Sequence, residues 1–428
     1  MSWPSAGRLL FVNASQVVTC AGPPRARRGS EMADAGVRTD VVVAVAEGRI
    51  VGVGSLTEMR TAVPKATEID CRLGVLIPGF VDSHTHALFG RARYDEQELR
   101  ASGLDYMEIA RRGGGIHASV KDLRQREEGD LFDLAYGRLV RLAAFGTTTV
   151  EVKSGYGLSV DDEIKSLRVI AKLASQLPMR IVATFLGAHE IPLEFREPAA
   201  RRAEYVDLVC EQMIPAVARE GLATFADVFC ETGVFSVPES RRILQVARAA
   251  GMRLKLHADE LTSCGGAELA AELNATSADH LAAVSDAGIA ALAGSDTVAT
   301  ALPGTMLFLG KTAQAPVRRL MTAGVPVAIA TDFNPGTSPT VNMPLMLTLG
   351  VSQLRLSASE TIIAATTNGA AALDLASQTG QIAPGHSADL ALFAVRDYRE
   401  IPYWYGDNLC AGTWVRGKAC YTTHLGLT

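Results

Sequence analysis

Between Leu76 and Leu373 the chain repeatedly changes its period: a short run of apolar and β-branched residues, then a longer stretch with helical spacing. The apolar runs fall at 77–84, 146–154, 180–188, 225–231, 252–258, 274–279, 296–302 and 325–332. Ala-, Leu-, Arg- and Glu-rich stretches such as 130–144, 161–176, 201–219, 238–250 and 265–272 lie between them. Strands that follow one another through helices pair in parallel, because the helix brings the chain back to its starting edge. Eight such units predict an α/β chain closed into a (β/α)8 TIM barrel with its helices outside. An open doubly wound sheet is the alternative, but no GxGxxG follows any of the runs.

The two ends of the chain read differently. Val41–Ala46 and Arg49–Val53 flank a Glu-Gly turn and predict a hairpin. Ala388–Phe393 and Thr413–Lys418 are β-rich after a Gly- and Pro-containing turn at 380–385. The expected organisation is a barrel over 77–373 and a composite β-sandwich domain built from 1–76 and 374–428. The Pro-, Arg- and Gly-rich segment 21–36 is expected to be a loop, with Arg25, Arg27 and Arg28 in solvent.

Composition narrows the class of function. At 48% hydrophobic and 20% charged residues the chain can bury a large core. Its net charge of −5, with no basic block, argues against a nucleic-acid partner. No apolar run approaches the ~18 residues of a membrane span, and no signal peptide is expected. Seven scattered cysteines without a CxxC pair suit a reducing cytoplasm.

A barrel collects its chemistry at the C-terminal ends of its strands, so those ends were read for polar residues. Strand one runs into His84-Thr85-His86, where strand alternation points both imidazoles to the same side. Strand two ends in Glu151-Val152-Lys153-Ser154-Gly155-Tyr156-Gly157, strand three in His189 and strand four in Cys230-Glu231. Strand five ends in His257-Ala258-Asp259-Glu260, strand six in Asp279-His280 and strand eight in Asp332. Five of the eight histidines in the chain sit at these ends.

His84, His86, His257 and Asp332 form a nitrogen-rich ligand set with one carboxylate, suited to one divalent ion, Zn²⁺ or iron. Such an ion lowers the pKa of a coordinated water from about 15.7 towards about 7. Glu260, three residues beyond His257, is the expected proton shuttle, and His280 is expected to orient the nucleophile or polarise a carbonyl. The competing readings are structural: a turn cap for Asp332, a helix-terminal charge for Glu260, a core histidine for His280. Lys153 at a strand end could be carbamylated to bridge two metals, but its place on strand two favours a single ion.

These motifs resemble the amidohydrolase superfamily of metal-dependent hydrolases, whose opening signature is similar to Pro78-Gly79-Phe80-Val81-Asp82-Ser83-His84-Thr85-His86. Gly113-Gly114-Gly115-Ile116, Glu151–Gly157, Thr184–His189, Lys255–Glu260, Ala275–His280 and Asp332–Thr337 are similar to segments of the imidazolonepropionase family within it, over roughly residues 40–420. The resemblance implies one zinc or iron ion on His84, His86, His257 and Asp332. It implies substrate contacts from Arg93, Tyr156, His189, Glu260 and Thr337, with Asn334 and Gly336 touching the product. Arg93 would grip a propionate through its bidentate fork, with Arg91 as a rival. The expected reaction is hydrolysis of 4-imidazolone-5-propanoate to N-formimidoyl-L-glutamate, in which Asp332 also accepts a hydrogen bond from the attacking water. A homodimer is implied by the same resemblance. The alternatives are a cytosine- or guanine-type deaminase with the same strand-end groups, and a catalytically inert metal-binding barrel.

Overall fold

In the computed structural model, residues 7–104, 108, 114–198 and 201–423 are described. Gly113 of the glycine run lies outside them. Eight strands among these residues pair in parallel and in sequence order. They are Phe80–Asp82, Thr147–Lys153, Arg180–Ala188, Phe225–Cys230, Arg253–Ala258, Ser277–His280, Val298–Ala301 and Val327–Ile329. The first and last meet just beyond their ends, where the Asp332 N–H donates to His84 O at 3.0 Å and the His86 N–H to Phe333 O at 2.9 Å. The seam that closes the barrel therefore runs through three of the expected metal ligands.

The strands are covered on both faces, and Thr147–Lys153 is buried along its whole length. Helix Val160–Gln176 shows why the intervening stretches are helical. Ser159 caps its N-terminus by accepting from the Asp162 N–H, three acids occupy the first turn, and Ile164, Leu167, Ile170 and Leu173 form its buried stripe.

The chain ends combine into two further sheets. One has the order Arg49–Gly54, Val42–Ala46, Leu9–Val12, Thr67–Asp70; the other runs Lys418–Thr422, Cys410–Val415, Leu390–Phe393, Val75–Pro78, Gln16–Val18, Val37–Arg38. Phe11, Val43, Ile69, Leu76, Leu392 and Trp414 are buried between them. Phe11 meets Trp414 edge-on at 5.0 Å.

Three expectations need correction. Ile77 and Pro78, read as the start of the first barrel strand, belong instead to the terminal sheet, opposite Ala391 and Leu390. Gly79 breaks the run, and its N–H donates to Asp389 O. The eighth strand ends at Ile329, so Asp332 stands three residues past it, in left-handed backbone at φ 50°. The segment 21–36 is only in part the solvated loop expected: Arg25 is exposed, but Arg27 and Met32 are buried, and Gly29–Ala33 forms a 3-10 turn. Asn368 brackets Arg27, accepting from its N–H at 2.7 Å and donating to its carbonyl at 3.0 Å. Arg28 reaches Ser295 O and Asp296, which precede the seventh strand. The segment thus packs against the N-terminal end of the barrel, opposite the candidate site. Among the described residues no helix is long and apolar enough to cross a membrane.

Candidate active site and metal centre

His84 and His86 leave the first strand on the same side, as alternation requires, and meet His257 from the fifth strand. His257 Nε2 is 3.3 Å from His86 Nε2. Asp332 Oδ1 is 3.5 Å from His84 Nε2 and 3.6 Å from His86 Nε2. A tetrahedral ion with metal–nitrogen bonds of about 2.0–2.1 Å separates its ligand atoms by about 3.3–3.4 Å. The donor atoms of His84, His86 and His257 all lie within 4.8 Å of one another, as do those of His84, His280 and Asp332, so two triads that share His84 have the spacing of a metal site. His84 Nε2 is buried without a hydrogen-bond partner, a lone pair that only a cation or a proton can satisfy.

Three of the four candidate ligands have a polar group behind them. Asp279 Oδ2 lies 2.6 Å from His84 Nδ1, so that nitrogen carries the proton and Nε2 is left as the donor atom. Asp227 Oδ2 faces His257 Nδ1 at 3.0 Å, and its other oxygen accepts the His257 N–H at 3.1 Å. His86 has no such partner on Nδ1; its ring is stacked on His189 at 4.8 Å and 17°. Asp332 is clamped by Thr305, whose hydroxyl donates to Oδ2 at 2.6 Å, turning Oδ1 towards the histidines. Burial holds the His84, His86 and His280 imidazoles well below the ordinary histidine range, so they are neutral and able to ligate.

Glu260 and His280 sit over this set, with His280 Nε2 3.6 Å from Glu260 Oε2. Burial, and after it repulsion from Asp332 and Glu231, pushes the Glu260 carboxyl up to about 8. Burial pushes Asp332 up to about 6, with the Thr305 hydroxyl working against it. Glu260 is presented by a strained turn: Asp259 has φ 49°, and its Oδ1 accepts from the Cys264, Gly265 and Gly266 N–H groups while Oδ2 accepts from Ala267. His280 is also left-handed, at φ 79°. Three side chains of the site thus hang from backbone that non-glycine residues rarely adopt.

The outer wall follows. Tyr156 is buried on a turn whose N–H groups at Gly155, Gly157 and Leu158 all bind the Glu163 carboxylate. His189 donates from Nδ1 to Gly155 O at 2.9 Å, which leaves Nε2 as an acceptor, and burial holds its ring down to about 3. Arg93 is buried, with Nε 3.5 Å from Glu96 Oε1. Its guanidinium lies against Gly336, where an added Cβ would stand 1.2 Å from Nη2. Arg91, the possible rival, is exposed and paired with Asp95 at 3.1 Å. Asn334 is less available than expected: its amide donates to Asp332 O and Thr337 Oγ1, and its carbonyl accepts from Gly336 and Thr337 N–H groups. Its side chain braces the loop that carries Asp332 and Gly336.

Lys153 lies on the second strand, as expected, but its ammonium is held 2.7 Å from Asp227 Oδ2 and 2.8 Å from Glu151 Oε2. Although burial opposes it, the Asp227, Glu151 and Asp279 carboxylates raise its pKa above the usual lysine value, so it stays a cation. Sequence reading missed Asp227, Thr305 and Glu163 and assigned no role to Asp259 and Asp279. A carboxylate inside the apolar strand Phe225–Cys230 was a signal for Asp227; nothing local marked Thr305.

Residues 75–420 match the model of the amidohydrolase family. The chain is 48% identical to an imidazolonepropionase of Symbiobacterium thermophilum over 414 residues, 96% of each chain. It is 45% identical to one of Geobacillus kaustophilus, over 94% of this chain and 95% of the relative. Among solved structures it is similar in fold to E. coli guanine deaminase, with TM-score 0.73 at 16% identity, covering 98% of this chain and all of the other. An adenosine deaminase from Xanthomonas campestris with bound zinc is similar at TM-score 0.70 and 21% identity, covering 97% of this chain and 93% of the other. Domain match, near full-length identity and a metal-ready strand-end cluster agree: the chain belongs to the amidohydrolase family and, within it, to the imidazolonepropionases.

Proposed function

We propose that this chain hydrolyses the ring C–N bond of 4-imidazolone-5-propanoate, giving N-formimidoyl-L-glutamate. One divalent ion, zinc or iron, held by His84, His86, His257 and Asp332 would supply Lewis acidity, lowering the pKa of a coordinated water from about 15.7 towards about 7. Glu260 takes the proton from the attacking water and delivers it to the ring nitrogen that leaves. A carboxyl poised at about 8 exchanges protons near neutral pH, the range in which both transfers must occur. Asp332 accepts a hydrogen bond from the same water through Oδ1, the oxygen that Thr305 leaves turned towards His84 and His86. His280, neutral and beside Glu260, donates to the ring carbonyl oxygen and stabilises the charge that develops there.

The remaining contacts hold the substrate. Arg93 binds the propionate, and Tyr156 and His189 hydrogen-bond the ring. The loop 334–337 lines the product side through the Gly336 backbone and the Thr337 hydroxyl. The water oxygen ends on the former ring carbon and its proton on nitrogen, so no ammonia is released.

The observation that carries this reading is the 3.3–3.6 Å spacing of His86 Nε2 with His257, and of Asp332 Oδ1 with His84 and His86. Glu260 and His280 lie beside these groups. Incubation with the imidazolone should remove its absorbance and form the ring-opened glutamate derivative without ammonia. Release of ammonia from cytosine or guanine instead would establish a deaminase. The same reading has the enzyme working as a homodimer in the cytoplasm, on a small molecule and apart from nucleic acid and membranes. Seven unpaired thiols support the reducing compartment.

A further inference from the structure

Beneath the metal ligands the barrel interior holds five charged side chains with no solvent exposure: Lys153, Lys255, Glu151, Asp227 and Asp279. They are not a random filling. Asp227 Oδ2 faces His257 Nδ1 at 3.0 Å and Lys153 Nζ at 2.7 Å, so one oxygen serves both a ligand histidine and a lysine. Asp279 Oδ2 repeats the arrangement, 2.6 Å from His84 Nδ1 and 3.5 Å from Lys255 Nζ. Glu151 joins the two halves, 2.8 Å from Lys153 and 3.6 Å from Lys255. Lys255 also donates to Ser83 O at 3.0 Å, next to His84.

We propose that Lys153 and Lys255 are positioning residues for the metal centre, acting through Asp227 and Asp279 on His257 and His84. An ammonium beside the same carboxylate fixes which way its oxygens point, and with them the imidazole that the carboxylate faces. Lys153 thereby holds Asp227 against His257, and Lys255 holds Asp279 against His84, which fixes the orientation of both rings. The inference rests on the metal reading above and is independent of the substrate.

The test is metal affinity, measured by chelator competition for Zn²⁺ and by the visible spectrum of Co²⁺ in the site, with folding followed by circular dichroism. Asp227→Asn and Lys153→Met should each weaken Zn²⁺ binding by about 10–100-fold, the range for residues that orient metal ligands. The double variant should lose no more than Asp227→Asn alone, because the lysine acts through that aspartate. Should Lys153→Met not fold, the double variant, in which Glu151 keeps Lys255 at 3.6 Å, carries the comparison. Phe11→Leu in the terminal sandwich should lower stability and leave affinity unchanged, separating positioning from stability. Wild-type affinity in folded Asp227→Asn or Lys153→Met, or losses that multiply in the double variant, would overturn the proposal. A wild-type protein that holds no Zn²⁺ would overturn the metal reading itself.

Discussion

Replacing Gly336 with alanine tests the propionate end of the site through a single methyl group. Gly336 does not occupy left-handed backbone, so alanine can adopt its conformation without strain. The obstacle is Arg93: the new Cβ would stand 1.2 Å from Nη2, 2.2 Å from Cζ and 2.6 Å from Nε. Ordinary contact needs about 3.5 Å, so the guanidinium must withdraw by roughly 2 Å. A bidentate arginine–carboxylate pair at about 2.8 Å does not survive such a shift. Hydrogen bonds to a charged group contribute about 1.5–3 kcal/mol, which corresponds to a rise in KM of roughly 10–150-fold. Arg93→Ala should have a similar effect, and Gly336→Ala added to Arg93→Ala should change KM by less than about two-fold. The assay is steady-state loss of imidazolone absorbance, with melting temperature as the check on folding. A substrate analogue lacking the carboxylate should not distinguish Gly336→Ala from wild type. An unchanged KM in Gly336→Ala, or an undiminished effect without Arg93, would refute the assignment of the carboxylate to Arg93.

Other predictions follow from the same geometry. Glu260→Gln keeps the shape and removes the proton carrier, so kcat should fall by at least about 100-fold while metal content stays at wild-type level; near-normal turnover would rule out the shuttle. Asp259→Ala strips the acceptor from four backbone N–H groups under the Glu260 turn. It should destabilise the protein by about 2 kcal/mol or more and lower kcat with little change in KM, read by denaturant unfolding and kinetics. In metal-free protein, burial raises Asp82 to about 7 and Glu260 to about 8, so the folded chain retains protons that the unfolded chain has released. Their contribution is complete below the unfolded carboxylate range and is lost as pH rises through 7–8. The depressed histidines oppose this on the acid side, where the unfolded chain binds protons that the folded one refuses. Stability of the chelated protein should therefore peak near pH 6–6.5, fall between there and pH 8 with a slope of at most about 1.4 kcal/mol per pH unit for each retained proton, and level off above pH 8–9. Urea midpoints that rise steadily from pH 6.5 to 8 would contradict the burial of these carboxyls.

Local pattern carried most of the fold and the ligand histidines. Strand alternation alone set His84 and His86 on one side, and the strand-end rule pointed to His257, His280 and His189 before any geometry was known. Misplacements occurred where a short-range pattern had two possible long-range partners. Ile77 and Pro78 read as the start of a barrel strand, yet they pair with Ala391 and Leu390, more than 300 residues away. Arg27 reads as solvated because its neighbours are Pro, Gly and Arg, yet its backbone is bracketed by Asn368, 341 residues distant. No window of sequence contains either partner.

The order of residues by itself determined the period of each segment, the faces the strands present and the kinds of donor atom gathered at their ends, because these depend on neighbours two to four positions apart. Closure of the barrel decided the rest. It set the oxygen of Asp332 on His84 and His86 and slid Lys153 and Lys255 beneath the carboxylates that aim His257 and His84. It also laid Arg93 on the one residue, Gly336, that has no side chain to displace it. Those contacts join residues brought together by barrel packing, where excluded water makes an unpaired charge costly and a paired one directional.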